Sequence, residues 1–193
     1  IRYDSVFVYI STDYVFDGKK RVPYMENDEV KPVSVYAKSK YWGECFTRDM
    51  CQKCFILRTS WLYGLHGCNF AKSIYETLKK GGVYKAACDM TASPTFADDL
   101  ASAIAGIVET KKYGLYHITN SGSASRQEFA EELKKIMGAE SPGSVDKVDL
   151  KSLNLRALRP AYSVLKNFCY ENEGFGALRG WQEALREFVK NIK

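Results

Sequence analysis

The chain alternates short apolar runs with longer amphipathic stretches, and this alternation constrains its fold more than any other feature. The run from Val6 to Ile10 is β-branched and aromatic, which predicts a buried parallel strand. Ser34 is placed to cap a helix over residues 35–50, and Cys54 to Leu62 predicts the next strand. Because strands that alternate with helices are typical of doubly wound sheets, we predict an α/β fold containing part of a Rossmann-like parallel sheet.

The later part of the chain continues the pattern. Two capping boxes, Thr95 to Asp98 and Ser125 to Glu128, predict helices that run to about residues 108 and 137. Hydrophobic periodicity predicts further helices at 70–80 and 181–192 and further strands at 83–88 and 116–119. The glycines of GFGALRG resemble a dinucleotide fingerprint, but they are not followed by a further strand, so we interpret them as a turn before the last helix.

Composition indicates a globular protein that handles small molecules. Hydrophobic residues make up 46% of the 193 residues and charged residues 26%. No apolar run approaches the roughly 18 residues of a membrane span. The net charge of +5 is spread along the chain, which suits an anionic small molecule better than a nucleic acid. We therefore expect neither a nucleic-acid nor a membrane partner.

The six cysteines predict free thiols. Cys51 and Cys54 have the spacing of half a zinc site, but the second pair that zinc would need is absent from the sequence. The pair also follows a helix and precedes a strand, unlike a thioredoxin-type redox site. We expect a reducing cytoplasm and no metal site built from protein residues.

The stretch VYAKSK and the triplet Ser11-Thr12-Asp13 carry the chemistry. Tyr36 and Lys40 are four residues apart and would share a helix face. A nearby ammonium favours the phenolate form of a tyrosine, and such a tyrosine can give its proton to a carbonyl oxygen. Thr12, at the end of a predicted strand, would supply a second hydroxyl to that oxygen. Alone, the spacing is weak, because an exposed tyrosine beside a solvated lysine is common.

Several ordered motifs strengthen this interpretation, because together they resemble the dTDP-4-dehydrorhamnose reductase family of extended short-chain dehydrogenases/reductases. They span nearly the whole chain and read STDYVFDG, PYMENDEVKPVSVYAKSKYWGE, LRTSWLYG, NFAKSI, SPTFADDLA, GLYHITNSGSASRQEFA, RPAYSVL and WQEALREF.

The resemblance implies an activity and its residues. It implies that NADPH or NADH reduces the 4-keto group of dTDP-4-dehydro-L-rhamnose to give dTDP-L-rhamnose. Thr12, Tyr36 and Lys40 would be catalytic, and Ser11 would join Tyr36 and Lys40 in binding the cofactor. Residues 1–120 would be the C-terminal half of the Rossmann-like domain, with an excursion near 83–95 into a substrate-binding domain that comprises residues 121–193.

Seven further residues are candidates for the substrate side, and most also have a structural interpretation. Asp13 could cap a turn, Asn69 could cap a helix, and Trp61 could belong to the core. We favour Arg159 as a diphosphate clamp, because a guanidinium binds phosphate through two parallel bonds. Within the strand at 54–62, Arg58 predicts a structural ion pair. The seven candidates are Asp13, Val15, Phe16, Trp61, Asn69, Phe70 and Arg159.

Other features stay open. The family begins with a glycine-rich strand, turn and helix that hold the pyrophosphate, whereas this chain reaches the STD triplet after ten residues. We therefore expect the chain to be the C-terminal portion of a longer reductase and inactive alone. Such a portion would contain an incomplete sheet with an exposed edge strand, which would favour a homodimer. A magnesium requirement is not readable from these residues. The alternative function is that of a non-catalytic relative, such as the regulatory subunit of methionine adenosyltransferase.

Overall fold

The structure, a computed structural model, describes residues 5–192. Within that range the strands are β1 (Phe7–Thr12), β2 (Cys54–Thr59), β3 (Leu62–Tyr63), β4 (Val83–Ala87), β5 (Thr91–Ala92), β6 (Thr95–Phe96), β7 (Gly114–His117), β8 (Ala124–Ser125), β9 (Ser144–Val148) and β10 (Tyr162–Ser163). The helices are α1 (Val35–Met50), α2 (Phe70–Lys79), α3 (Ala97–Val108), α4 (Arg126–Met137), the short α5 (Phe168–Tyr170) and α6 (Trp181–Asn191).

Three parallel strands in the order β1-β2-β7 form the sheet that positions the site. Strand β2 is central and buried along its whole length, as its apolar sequence requires. In the register, Ser11 lies beside Arg58 and Thr12 beside Thr59. The predicted α/β class with parallel strands is confirmed, and the STD triplet lies at the carboxyl end of β1.

Strand β2 ends earlier than the sequence predicts. We expected one strand from Cys54 to Leu62, but the strand stops at Thr59. The cause is Trp61, whose backbone adopts a left-handed conformation with φ of 41° that no strand accommodates. The chain then turns away, and β3 pairs with β6 instead of the central sheet.

The helix-start predictions had different outcomes. Ser34 caps α1 by accepting from the amide of Ala37, and Ser125 and Glu128 form the predicted capping box of α4. The box predicted at Thr95 to Asp98 is wrong, because Thr95 belongs to β6 and its hydroxyl contacts the carbonyl of Ser93. The side chain of Asn120 instead accepts from the amide of Phe96, where α3 begins.

Of the four apolar clusters among the described residues, the two largest hold the helices against the strands. One packs α3 and the segment around Tyr170 against β2 and β7. The other joins α2, α4 and α6 around Phe129 and Phe188, both fully buried. Each cluster therefore draws on sequence from both sides of residue 120, and the domain division at that position stays a prediction.

Several smaller predictions are settled here. Gly180 directly precedes the first residue of α6, so the GFGALRG segment leads into the last helix as predicted, although its first two residues, Gly174 and Phe175, end a preceding helical segment. The six cysteines are free thiols in the described part of the chain. Among the helices of residues 5–192, none has both the length and the apolar character needed to cross a membrane.

A buried ion pair fastens α1 to the central strand. The Arg58 guanidinium donates to both carboxylate oxygens of Glu44, at 2.9 Å from Nε and 2.7 Å from Nη2. Both side chains are almost completely inaccessible to solvent. The structural ion pair predicted for Arg58 is thus confirmed, and Glu44 is its partner.

We predict that Arg58→Met lowers the free energy of unfolding by about 3–5 kcal/mol, because it leaves the Glu44 carboxylate buried without its counter-charge. Urea denaturation followed by circular dichroism measures this. The control is Lys80→Met, which removes an exposed pair with Glu76 and should cost no more than about 1 kcal/mol. Equal costs for the two variants would contradict the anchoring role of Arg58.

Candidate active site

A cavity of about 370 Å³ opens where β1 ends and α1 begins. It brings together the three residues predicted to be catalytic, Thr12, Tyr36 and Lys40, from two separate elements. The walls also include three other candidates, namely Ser11, Asp13 and Trp61. The remaining lining residues are Ile10, Tyr14, Thr59 and Leu62.

Ser11 lines the cavity, but its hydroxyl bonds a residue outside the cavity lining. Its hydroxyl donates to Glu44, the carboxylate that also pairs with Arg58. The side chain is buried. Ser11 therefore links β1 to the ion pair, and the predicted cofactor contact stays a prediction.

Asp13 lines the cavity and has a buried carboxylate that accepts three hydrogen bonds. Its carboxylate accepts from the hydroxyls of Thr12 at 3.1 Å, Ser60 at 2.8 Å and Ser163 at 2.5 Å. Burial raises the pKa of Asp13 to about 6, and the three hydroxyl donors oppose that rise. The carboxylate therefore ties together the ends of β1, β2 and β10, and it orients the hydroxyl of Thr12.

Tyr36 and Lys40 project from the first turns of α1. Just over half of the Tyr36 surface is exposed, and its ring meets that of Tyr14 edge-on at 6.3 Å between centroids. The Lys40 ammonium lies 4.3 Å from the centre of the Tyr9 ring. Tyr9 can approach α1 because residue 43 is glycine: a Cβ there would lie 2.0 Å from the Tyr9 hydroxyl oxygen.

The structure places Val15 and Phe16 in the core instead of on the cavity wall. Both are completely buried, and the Phe16 ring stacks on Tyr24 at 4.2 Å between centroids. Val15 ends the short helical turn that begins at Asp13, and Phe16 directly follows it, so the two side chains support this turn from the core.

The structure also assigns local roles to Asn69 and Phe70. Asn69 caps α2 by accepting from the amide of Lys72, and it donates to the carbonyl of Gly64 at 2.8 Å. Phe70 packs edge-on against the Trp61 ring, with centroids 6.0 Å apart. Any contact of these two residues with a substrate stays a prediction.

Arg159 is exposed, whereas the neighbouring Pro160 is buried against Gly18. A Cβ at residue 18 would lie 2.4 Å from the Cβ of Pro160, and the Gly18 backbone has φ of 78°, so this close approach depends on glycine. Arg159 lies close enough to the partly buried Tyr14 for its charge to act on the phenol. Arg159 is not among the residues that line the cavity, and its role as a diphosphate clamp stays a prediction.

Sequence reasoning missed Tyr14 and Arg126. Tyr14 lines the cavity, and burial together with the Asp13 carboxylate raises its pKa to about 12. Arg126 packs over Trp61, with its guanidinium carbon 3.6 Å from the ring centre. Tyr14 directly follows the STD triplet, which could have drawn attention to it. Arg126 is separated from the other site residues in sequence and gives no local signal.

The histidines and one surface cluster lie apart from the cavity lining. Burial lowers the pKa of His117 to about 3, and its backbone amide donates to Glu26 at 3.0 Å. His66 is exposed on a loop. Cys88, Asp89 and Asp149 place their ligand-type atoms within 4.8 Å of one another near the surface.

The model of the RmlD substrate binding domain family matches residues 1–193. The spore coat polysaccharide biosynthesis protein SpsK of Bacillus subtilis is 37% identical over 98% of this chain, which spans 65% of that protein's length. The dTDP-4-dehydrorhamnose reductase of Aggregatibacter actinomycetemcomitans is 35% identical over all of this chain and 68% of its own.

A solved structure shows the same fold. The crystal structure of dTDP-4-dehydrorhamnose reductase from Bacillus anthracis in complex with NADP aligns with a TM-score of 0.91 at 37% identity. The alignment covers 96% of this chain and 66% of that one. The chain thus spans about two thirds of the length of the proteins to which it is similar.

We predict that the carboxyl group of Asp13 makes wild-type stability depend on pH. Its folded-state pKa of about 6 lies above the ordinary 3.8, so its contribution is present below pH 4 and is lost as the pH rises through 6. A shift of this size corresponds to about 3 kcal/mol.

Asp13→Asn carries no titrating group at this position. Its free energy of unfolding should therefore rise relative to wild type by about 2 kcal/mol between pH 4 and pH 7. Urea titrations of both proteins at several pH values measure the difference, and the comparison at pH 4 serves as the internal control. A difference that does not change with pH would contradict the burial-driven shift.

Proposed function

This chain belongs to the RmlD substrate binding domain family, and from that membership we propose that it is the substrate-side part of an NAD(P)H-dependent reductase. The proposed reaction reduces the 4-keto group of dTDP-4-dehydro-L-rhamnose to give dTDP-L-rhamnose. The observation that carries the proposal is that Thr12, Tyr36 and Lys40 converge on one cavity from β1 and α1.

In this proposal Tyr36 gives its phenolic proton to the 4-oxygen of the sugar. Its ring is held by the edge of Tyr14, while just over half of its surface is open to an incoming ligand. Thr12 donates a hydrogen bond to the same oxygen. To do so its hydroxyl turns away from Asp13, whose carboxylate keeps the bonds from Ser60 and Ser163.

Lys40 fits the role of holding the cofactor's ribose and supporting Tyr36. Its ammonium rests over the Tyr9 ring, and the described residues place no carboxylate within ion-pair distance of it. Bound NADPH or NADH would supply the hydride that reaches C4. The protein's part is to hold the ketone carbon within reach and to provide the proton.

The remaining substrate contacts follow from the cavity's surroundings. Trp61 forms a wall for the sugar, Asn69 and Phe70 begin the neighbouring helix, and Arg159 is placed to bind the diphosphate. The quoted relatives are named for polysaccharide biosynthesis and nucleotide-sugar reduction, which favours the reductase over the regulatory alternative. We place the activity in the cytoplasm, where the free cysteines would stay reduced, and we keep a homodimer as part of the proposal.

We predict that Tyr36→Phe in the complete reductase lowers turnover of dTDP-4-dehydro-L-rhamnose by at least about 100-fold, because the ring stays but the proton donor is lost. The affinity for NADPH should change little. NADPH oxidation under saturating substrate measures the first quantity, and fluorescence titration with NADPH measures the second.

The control is Tyr41→Phe on the same helix. Tyr41 packs against the cluster of Val15 and Phe16 instead of lining the cavity, so this variant should turn over at the wild-type rate. Wild-type activity in Tyr36→Phe would remove Tyr36 from the proton-donor role. Absence of turnover in the wild-type reductase would contradict the proposed reaction itself.

A further inference from the structure

Among residues 5–192, no carboxylate lies within ion-pair distance of the Arg126 guanidinium. Its Nη1 atom is buried and has no hydrogen-bond partner among residues 5–192. Burial lowers the pKa of Arg126 to about 10, which leaves the guanidinium protonated at neutral pH. Because a buried charge without a partner is costly, we expect this side chain to bind an anion that residues 5–192 do not supply.

Two aromatic rings hold the guanidinium in place. Its carbon atom lies 3.6 Å from the centre of the Trp61 ring and 3.9 Å from that of Phe70. Contacts with ring faces are favourable for a cation, and they fix its position. A guanidinium carries its N–H donors at its edges, so a group stacked on rings can still present paired donors to a phosphate.

The position of Arg126 is next to the cavity. Trp61 forms part of the cavity wall, and Arg126 lies directly over its ring. The charge of Arg159 acts unfavourably on Arg126, and the Asp13 carboxylate acts on it favourably. The nearest carboxylate of the cavity, that of Asp13, is already occupied by three hydroxyl donors. Among residues 5–192, neither of these two cations has a carboxylate within ion-pair distance, and both are near enough to the cavity residue Tyr14 for their charges to act on it.

We propose that Arg126 is a phosphate-binding residue of this site, and that its ring-stacked guanidinium and Arg159 together hold the diphosphate of the nucleotide sugar. This inference rests on the proposed function, because the diphosphate is the anionic group of that substrate. In this proposal the exposed Arg159 donates hydrogen bonds to the diphosphate from the solvent side, and the buried Nη1 of Arg126 donates from the protein side. Binding relieves the repulsion between the two cations.

The competing role for Arg126 is purely structural, namely packing that supports Trp61 in its left-handed backbone conformation. The two roles predict opposite effects of Arg126→Met, which keeps an apolar chain of similar length and removes the charge. If the charge awaits an anion, the melting temperature without ligand should stay the same or rise. If stacking on Trp61 is its purpose, the melting temperature should fall.

Binding of dTDP, measured by calorimetry on this chain, tests the proposal directly. Arg126→Gln should weaken dTDP binding about tenfold or more, since it removes charged hydrogen bonds to phosphate. Arg126→Lys, which keeps the charge but not the forked geometry, should bind with intermediate affinity. The control is Arg186→Gln on α6, an exposed arginine whose nearest recorded carboxylate oxygen is 3.9 Å away, and its affinity should stay within about twofold of wild type.

The outcomes separate this inference from the proposed function. Weaker binding in Arg126→Gln, together with an unchanged or higher melting temperature in Arg126→Met, supports the role of Arg126. Wild-type dTDP affinity in all Arg126 variants overturns that role and leaves the reductase proposal standing. Failure of the wild-type chain to bind dTDP overturns both.

Discussion

The Arg58–Glu44 ion pair sets the position of the helix that carries Tyr36 and Lys40. Arg58 lies on the central strand and Glu44 on α1, and the two carboxylate oxygens receive two guanidinium donors. Tyr36, Lys40 and Glu44 are spaced at intervals of four residues and therefore follow one face of the helix. Fixing Glu44 against the sheet thus fixes the direction in which the tyrosine and the lysine project. The hydroxyl of Ser11 donates to the same Glu44 carboxylate and so fixes the end of β1 relative to α1.

The cavity is built from groups that would be unfavourable elsewhere. A buried carboxylate at residue 13, a left-handed tryptophan at 61 and a buried guanidinium at 126 each cost stability. Each is held by specific neighbours: hydroxyl donors for Asp13, the Phe70 ring for Trp61, and both aromatic rings for Arg126. Such concentration of unfavourable groups is expected where a site is prepared for a ligand before the ligand arrives.

Local patterns in the sequence predicted the parts that depend on local physics. The caps at Ser34 and Ser125 and the buried strand that ends at the STD triplet depend on residues within a few positions of one another. The motif order also led to Thr12, Tyr36 and Lys40, which the structure places around one cavity. The domain division and the site roles themselves rest on the resemblance alone.

Two of the failures share a physical cause, because a partner distant in sequence decided the outcome, whereas the third failure is local. Thr95 looked like a helix cap, but its segment pairs with β3, and the side chain of Asn120 meets the helix start. The strand through Leu62 was cut short by the backbone of Trp61. Arg126 could not be identified because its contacts with residues 61 and 70 are made only in the folded chain.

The hydrogen bond from Ser163 to Asp13 joins residues 150 positions apart. Closing so long a loop has an entropic cost, and the contact can form only when both residues are present. During synthesis on the ribosome, β1 and α1 can emerge and begin to pack well before residue 163 exists. The hydrogen bonds to Asp13 are therefore completed only after β10 has been made. A chain that stops before β10 would contain Tyr36 and Lys40 beside an incomplete cavity.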